Sequence, residues 1–169
     1  GFLRTALANN SGATCFTYLV SDPERYGVVE LDDACNIKQI VEKPATPPSN
    51  YAVTGLYVLD KTAPEKAKTL TKSQRGELEI VDVLNSYLRD NQLVHRPFNR
   101  GVAWLDTGTP ESLLEASLFV ETIEKRQGYK IACLEEIALN KRWITSEKLH
   151  QQIANFKGNY YDYLKGILD

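Results

Sequence analysis

Arg75-Gly76-Glu77-Leu78-Glu79-Ile80 leads into an amphipathic helix, and this run with its flanks decides the fold of the chain. The apolar residues that follow recur at i, i+3, i+4, i+7 and i+8, which is the period of a helix with one buried face; they are Ile80, Val83, Leu84, Tyr87 and Leu88. Glu77 and Glu79 lie at the N-terminal end of this helix, where the positive end of the helix dipole stabilises a negative charge. We interpret both glutamates, together with Asp82, as structural residues that order the wall of a pocket.

Strand-like segments surround this helix. Residues 13–20 and 51–59 are rich in β-branched and aromatic side chains, which is typical of strands. Residues 27–31 and 37–41 are two shorter strands, and the Asp and Asn residues between them predict a hairpin turn. Residues 1–8 have the apolar spacing of a helix. Strands mixed with helices in this way predict an α/β sheet.

The C-terminal third is predicted to be helical. Thr109 is a good N-cap, Pro110 suits the first helical position, and Gly128 ends the helix. From about residue 134 onward, further helical segments are expected around residues 137–139, 146–156 and 160–168. The predicted architecture is therefore part of an α/β sheet followed by a helical tail.

Composition excludes several classes of protein. The chain has 169 residues, 43% of them hydrophobic and 25% charged, which indicates a globular domain. A net charge of -2 argues against nucleic acid as a partner. No apolar run approaches the roughly 18 residues of a membrane helix, and we expect no signal peptide. The three cysteines, with no C-x-x-C spacing, suggest neither a zinc site nor a disulfide framework, so a cytoplasmic protein is expected.

Charged residues at the ends of the predicted strands are the first candidates for a site. Glu42 can accept two hydroxyl groups and Lys43 can neutralise an anion such as phosphate, although a solvated hairpin end is the simpler interpretation of a lone Glu-Lys-Pro. Asp106 follows a strand-like run and precedes a capped helix, an edge where α/β folds bind ligands. A carboxylate there suits Mg²⁺, and a turn formed by Asp106 with Thr107 is the alternative.

Small and apolar residues nearby admit two interpretations as well. Gly27 either allows a ligand to approach the backbone or simply belongs to a turn. Val53 and Tyr57 are four residues apart in one strand, so both side chains point to the same face. That face is either a ligand site or core, and Trp104 is open to the same two interpretations.

Taken together, these motifs resemble those of the sugar nucleotidylyltransferases, and most closely the glucose-1-phosphate thymidylyltransferases. The resemblance rests on Tyr26-Gly27-Val28-Val29, Glu42-Lys43-Pro44, the run from Arg75 to Ile80, and Trp104-Leu105-Asp106-Thr107-Gly108-Thr109. It implies a nucleotide-diphospho-sugar transferase-like (Rossmann-like) mixed sheet followed by a helical C-terminal tail. That family's Gly-rich loop for the nucleotide triphosphate is not found. We therefore expect residues 1–109 to be the sugar-phosphate-binding part of the domain, residues 110–169 to be the tail, and the nucleotide-binding part to be absent.

The resemblance also implies roles for individual residues. Lys43 and Asp106 would be catalytic, and Asp106 would hold Mg²⁺. The substrate-binding residues would be Gly27, Glu42, Lys43, Val53, Tyr57 and Trp104. The implied reaction joins dTTP and glucose 1-phosphate to give dTDP-glucose and pyrophosphate, and we expect the 169 residues alone to be unable to turn over.

Partners and regulation are implied in the same way. The family is usually a homotetramer in dTDP-rhamnose and polysaccharide biosynthesis, with a dTDP-sugar as product or effector. Glu136-Ile137-Ala138 matches its regulatory region, but Asn140 stands where an arginine is expected. The alternatives are a non-catalytic regulatory or oligomerisation module of the same fold, and a uridylyltransferase, because the residues that read the base would lie outside this chain.

Overall fold

The structure is a computed structural model that describes residues 2–168. Gly1, which begins the predicted helix over residues 1–8, and Asp169 lie outside the described residues. The chain divides into two compact units, Gly1–Trp104 and Leu105–Asp169. The functional division that the resemblance implies, between residues 109 and 110, stays a prediction.

The first unit is a five-stranded mixed sheet with helices, as predicted. Its elements are α1 (Phe2–Ala8), β1 (Ala13–Leu19), a 3₁₀ turn (Pro23–Arg25), β2 (Gly27–Leu31), β3 (Ile37–Glu42), β4 (Tyr51–Leu59), α2 (Ala63–Lys68), α3 (Ile80–Arg89) and β5 (Leu93–Pro97). The strand order is β3-β2-β4-β1-β5. The β1–β5 pair is parallel, and the other pairs are antiparallel. The parallel pair is joined through chain that includes α3, as a parallel connection requires a long crossover.

The predicted hairpin is confirmed, and it determines the position of one end of the candidate site. Asp32 Oδ1 accepts the backbone N–H groups of Ala34 at 2.9 Å and Asn36 at 2.7 Å, which closes the turn between β2 and β3. The resulting antiparallel register pairs Gly27 with Glu42. The turn chemistry at one end of the hairpin therefore places a glycine beside a glutamate at the other end.

An irregularity in β4 keeps two of the predicted site residues on one face. Thr17 of β1 pairs with Val53, and Cys15 pairs with Tyr57, so β4 advances four residues while β1 advances two. An insertion of two residues preserves the alternation of side chains, unlike an insertion of one. Val53 and Tyr57 accordingly pack in the same core cluster, as their spacing predicts.

Helix α3 packs on the sheet and forms the main core with it. Its buried residues are Val81, Val83, Leu84 and Tyr87. The sequence pattern placed Ile80 on the buried face, and this was wrong, since Ile80 is 39% exposed. Ile80 is the first residue of the helix and Val81 turns inward instead, towards Gly27. Burying a side chain of this size contributes about 1.5–3 kcal/mol.

Asn85 anchors α3 to the hairpin through the backbone of Ile40. The Ile40 N–H donates to Asn85 Oδ1 at 3.1 Å, and Asn85 Nδ2 donates to the Ile40 carbonyl oxygen at 2.8 Å. β3 lies at the edge of the sheet, where its outward backbone groups lack a neighbouring strand. The two hydrogen bonds from Asn85 therefore take the place of a neighbouring strand at Ile40, and they hold β3, the strand that ends in Glu42.

The second unit is helical, as predicted. Its helices are α4 (Pro110–Gln127), α5 (Leu134–Asn140), α6 (Ser146–Ile153) and α7 (Asn159–Gly166). Thr109 caps α4 by accepting the Ser112 N–H at 3.1 Å, and Gly128 ends it in the left-handed conformation, with φ of 74°. The core of this unit consists of Cys133, Leu149, Ile153 and Leu164. None of the helices within residues 2–168 combines the length and the apolar character needed to cross a membrane.

Candidate functional site

Gly27, Glu42 and Val53 meet where β2, β3 and β4 lie side by side. A Cβ atom at position 27 would lie 2.9 Å from Val81 Cγ2, 3.0 Å from Glu42 Oε2 and 3.8 Å from Val53 Cβ. The first distance is too short unless Val81 shifts and the second is tight, so a side chain at this position would displace its neighbours. The glycine thus makes room for the carboxylate of Glu42.

Tyr57 faces the same carboxylate from β4. Burial, with an added contribution from the negative charge of Glu42, raises the pKa of Tyr57 to about 12. The phenol therefore stays protonated at neutral pH and can donate a hydrogen bond. Four of the predicted substrate-binding residues are thus brought together by the sheet; they are Gly27, Glu42, Val53 and Tyr57.

Glu42 lies in a cluster of mixed charge. Burial raises the pKa of its carboxyl group, and the neighbouring Glu79 and Asp82 raise it further. The positive charges of Lys43 and Arg75 act in the opposite direction. The side chain of Glu42 is 22% exposed. It is thus a carboxylate that is partly removed from water but still open to a ligand.

Arg75, to which the sequence analysis assigns no role of its own, contacts this cluster directly. Its Nη1 lies 3.4 Å from Glu42 Oε1 and 3.3 Å from Glu79 Oε1, and its Nη2 lies 3.1 Å from Glu77 Oε2. Glu79, interpreted as a residue of the pocket wall, also accepts the hydroxyl of Ser73 at 2.9 Å. The signal available in the sequence was a lone arginine at the start of an acidic run.

Lys43 follows Glu42 directly and has an unusual backbone. Its φ is 43°, in the left-handed region that residues other than glycine seldom adopt. Its N–H donates to the carbonyl oxygen of Tyr26 at 2.9 Å, which fixes this conformation next to Gly27. Strained backbone of this kind tends to occur at functional sites. The Lys43 side chain is exposed and therefore accessible to an anion.

Trp104 is joined to this site through aromatic contacts. Its ring packs edge-on against Tyr26 with centroids 5.1 Å apart, and tilted against Tyr18 at 5.9 Å. Tyr26 is the residue before Gly27 and accepts the N–H of Lys43. Trp104 therefore packs at the edge of the candidate site and is partly exposed.

Asp106 belongs to the second unit and lies in the turn before α4. A Cβ atom at position 108 would lie 3.2 Å from Asp106 Oδ2 and 3.5 Å from Oδ1, so the carboxylate lies close over Gly108. No group of three or more histidine, cysteine, aspartate or glutamate side chains within residues 2–168 is arranged to hold a metal ion. Mg²⁺ takes as few as one protein carboxylate and completes its shell with phosphates and water. Asp106 thus fits the role of a single protein ligand.

His95 of β5 contacts Thr17 of β1. Its Nε2 lies 2.6 Å from Thr17 Oγ1, and its ring is edge-on to Tyr51 at 5.8 Å. Burial lowers the pKa of His95, so the ring is neutral at neutral pH. The contact ties β5 to β1 inside the sheet.

Two open cavities are lined by other groups of residues. One of about 540 Å³ is lined by residues of the second unit, including Glu121, Lys130 and Tyr163. The other, of about 500 Å³, lies in the first unit beside Tyr18 and Phe98. Neither of these two cavities is lined by Glu42 or Lys43.

The chain is similar to known nucleotidyl transferases both in sequence and in fold. The nucleotidyl transferase family model matches residues 2–123. A glucose-1-phosphate thymidylyltransferase of Xanthomonas campestris pv. campestris is 50% identical over 166 residues, which are 98% of this chain and 56% of that protein. The chain thus spans about half the length of the curated relatives it matches.

Solved structures show the same likeness. A Bacillus anthracis structure in complex with a sucrose, which carries the same enzyme name, is 37% identical with a TM-score of 0.61, over 70% of this chain and 47% of that one. A UDP-glucose pyrophosphorylase complexed with UDP-glucose is 25% identical with a TM-score of 0.62, over the same two shares.

Proposed function

The chain belongs to the nucleotidyl transferase family, and we propose that it provides the sugar-phosphate side of a glucose-1-phosphate thymidylyltransferase. One observation carries this proposal. Gly27, Glu42, Val53 and Tyr57 converge next to Lys43, in a chain that is 50% identical to an enzyme of that name. A sugar 1-phosphate presents hydroxyls and a phosphate, and this group of side chains has acceptors for the first and a cation for the second.

The hexose would be bound by Glu42. An ionised carboxylate has about four acceptor sites on its two oxygens, so it can accept two neighbouring hydroxyls at once. Val53 would contact the sugar ring, and the absence of a side chain at Gly27 would leave room for the Glu42 carboxylate that binds it. The partial exposure of Glu42 leaves the carboxylate open to such a ligand.

The phosphate would be bound by Lys43 and Tyr57. The exposed ammonium of Lys43 is a mobile donor that neutralises charge, while the protonated phenol of Tyr57 can donate to a phosphate oxygen. The backbone of Lys43, with its φ of 43°, is held by the hydrogen bond from its N–H to the Tyr26 carbonyl oxygen, which keeps the lysine next to Gly27. The negative charge of Glu42 and the positive charge of Lys43 would then match the hydroxyls and the phosphate of one sugar phosphate.

The reaction is an in-line displacement at phosphorus. A phosphate oxygen of glucose 1-phosphate forms a bond to the α-phosphorus of dTTP, and the bond from that phosphorus to the bridging oxygen breaks as pyrophosphate leaves with the electron pair. Catalysis of this kind depends on position and charge neutralisation, for which effective molarities correspond to about 7–11 kcal/mol. The residues of this chain would hold the nucleophilic phosphate in place. Mg²⁺, held by Asp106, would supply further neutralisation of the phosphate charges.

The same proposal gives the chain its biological setting. The product would be dTDP-glucose, used for deoxysugars of the dTDP-rhamnose type and for cell-surface polysaccharide in the cytoplasm. A dTDP-sugar would act as product or effector, and the assembled protein would be a homotetramer. Glu136, in the predicted regulatory region, accepts the Tyr163 hydroxyl at 2.7 Å, which fixes its position for such a role.

Calorimetric titration of the chain with glucose 1-phosphate tests the proposal. We expect saturable binding that Glu42→Gln and Lys43→Ala each weaken about tenfold or more, since each removes a charged hydrogen-bonding partner. Lys38→Ala is the matched control, because Lys38 is an exposed lysine of the same hairpin that pairs with Glu30. Absence of binding, or equal loss in all three variants, would refute the proposed site.

A chimera tests catalysis separately from binding. In it, this chain replaces the 166 aligned residues of the Xanthomonas campestris relative. Pyrophosphate release by the folded chimera with dTTP and glucose 1-phosphate is expected, and it should be lost with Asp106→Ala. A folded chimera without turnover would support a non-catalytic regulatory module instead.

A uridylyltransferase is the second candidate. It is favoured by the fold shared with UDP-glucose pyrophosphorylase at a TM-score of 0.62. Both enzyme names include a glucosyl group, so the sugar-phosphate site suits either of them. Over the same share of this chain, 70%, the identity is 37% to the thymidylyltransferase structure and 25% to the pyrophosphorylase, which favours the thymidylyl donor.

A further inference from the structure

Helix α7 is tied to the first turn of α5 by two tyrosine hydroxyls. Tyr163 donates to Glu136 Oε2 at 2.7 Å. Tyr160 donates to Oε2 of the preceding residue, Glu135. The two partners are 27 positions apart in the first pair and 25 in the second, so both contacts are products of the fold of the second unit and not of local sequence.

α7 gives these hydroxyls a fixed base. Leu164 is completely buried in the core of the second unit, and Lys165 Nζ donates to the Phe156 carbonyl oxygen at 2.9 Å. Tyr160 and Tyr163 are three residues apart, so they share one face of the helix. Because the helix is anchored next to this face, both hydroxyls meet α5 from a defined position.

α5 turns one side to this core and the other side to solvent. Leu139 packs against the core, whereas Leu134 is 72% exposed and Ile137 is 42% exposed. Exposed apolar side chains that share a face, as these two do at a spacing of three, mark interaction surfaces. Glu136 is half-buried at the border of this surface, one turn before the exposed Asn140. An oriented carboxylate therefore lies next to side chains that are open to a ligand.

The Glu136 carboxylate has one oxygen engaged and one available. Oε2 accepts the Tyr163 hydroxyl, and Oε1 accepts no hydrogen bond from any group within residues 2–168. The bond to Glu136 raises the pKa of Tyr163, and burial adds to this effect, while the Lys130 backbone N–H acts in the opposite direction. The phenol thus remains a donor well above neutral pH, and it orients the carboxylate without occupying it fully.

We propose that Tyr163 is a positioning residue for Glu136, and that it holds this carboxylate so that Oε1 accepts a hydroxyl or imide N–H of a dTDP-sugar effector. That role rests on the proposed function, which assigns Glu136 to a regulatory region. Tyr163 acts through Glu136. A phenylalanine at position 163 would keep the ring and the charge of Glu136 but would leave the carboxylate free to rotate.

Calorimetric titration of the 169-residue chain with dTDP-rhamnose tests this role. Excess glucose 1-phosphate is present throughout, so that it occupies the proposed substrate site. We expect saturable binding that Tyr163→Phe weakens about tenfold, while the affinity for glucose 1-phosphate stays unchanged. Tyr161→Phe is the matched control, because Tyr161 lies in the same helix, stacks on Phe156 with centroids 4.8 Å apart and donates to no carboxylate within residues 2–168. That control should bind dTDP-rhamnose as the wild type does.

NMR titration of the Tyr163 ring without ligand tests the coupling itself. In Glu136→Gln, we expect the phenol to lose its proton at a lower pH than in the wild type, since the amide carries no charge. An unchanged Tyr163 titration in that variant would overturn the inference, as would equal affinities of Tyr163→Phe and the wild type for dTDP-rhamnose. A wild-type chain that binds glucose 1-phosphate but not dTDP-rhamnose would also overturn it and would leave the sugar-phosphate site standing. Failure to bind glucose 1-phosphate would instead refute the proposed function.

Discussion

Replacing Gly27 by alanine tests the packing that makes the site possible. The added methyl would lie 2.9 Å from Val81 Cγ2 and 3.0 Å from Glu42 Oε2. Val81 is 3% exposed and is held by the first turn of α3, so it cannot move away without disturbing the core. Overpacking of this kind costs about 1–3 kcal/mol. We expect Gly27→Ala to lower the free energy of unfolding by that amount and to displace the Glu42 carboxylate.

The assay is urea denaturation followed by circular dichroism, with the slope of the transition checked for a common two-state process. Gly55→Ala is the matched control, since Gly55 lies in β4 of the same sheet and its added Cβ would meet nothing within 4 Å. We expect that control to stay within about 0.5 kcal/mol of the wild type. Equal stabilities of the two variants would show that the contacts at Gly27 do not constrain the fold as argued.

Three further predictions concern neighbouring contacts. Asn85→Ala should cost about 1–3 kcal/mol of unfolding free energy in urea, because it leaves the N–H and carbonyl oxygen of Ile40 without their side-chain partner. Asn85→Asp should destabilise as well, because its carboxylate keeps the acceptor but faces the Ile40 carbonyl oxygen without a donor. Tyr57→Phe should weaken the calorimetric binding of glucose 1-phosphate with little change in stability, and unchanged binding would exclude the phenol from the site. Ultraviolet titration of the wild type should show that Tyr57 loses its proton only at about pH 12. His95 has a pKa lowered by burial, so the unfolded chain takes up the proton first and stability should fall as pH drops from about 6.5 towards the folded-state pKa; His95→Gln should reduce that loss in urea midpoints, and an unreduced loss would assign it to other groups.

Local chemistry made much of the fold predictable. The hairpin followed from the Asp32 turn, and the start and end of α4 followed from Thr109 and Gly128. Each of these signals lies within a few residues of the structure that it determines. The spacing of four residues also predicted that Val53 and Tyr57 share one face. The prediction holds because the irregularity in β4 adds two residues, which preserves the alternation of side chains.

Contacts between distant segments were not predictable in this way. Arg75 reaches Glu42 across 33 positions, and His95 reaches Thr17 across 78. Which residue of the first turn of α3 is buried depended on the open position at Gly27, which favours Val81 over Ile80. The helical period alone shows that a face is buried but does not fix its rotation to within one residue. The roles of Lys43, Asp106 and the other candidate site residues remain predictions from resemblance.

Mapping glucose 1-phosphate onto the chain by NMR tests the central claim most directly. Backbone amide shifts would be followed as the sugar phosphate is added, with glucose and inorganic phosphate as separate controls. The account predicts saturable shifts centred on Gly27, Glu42, Lys43 and Tyr57, larger for the sugar phosphate than for either control. Shifts confined to other surfaces, such as the cavity beside Glu121 and Lys130, or no saturable shifts, would contradict it.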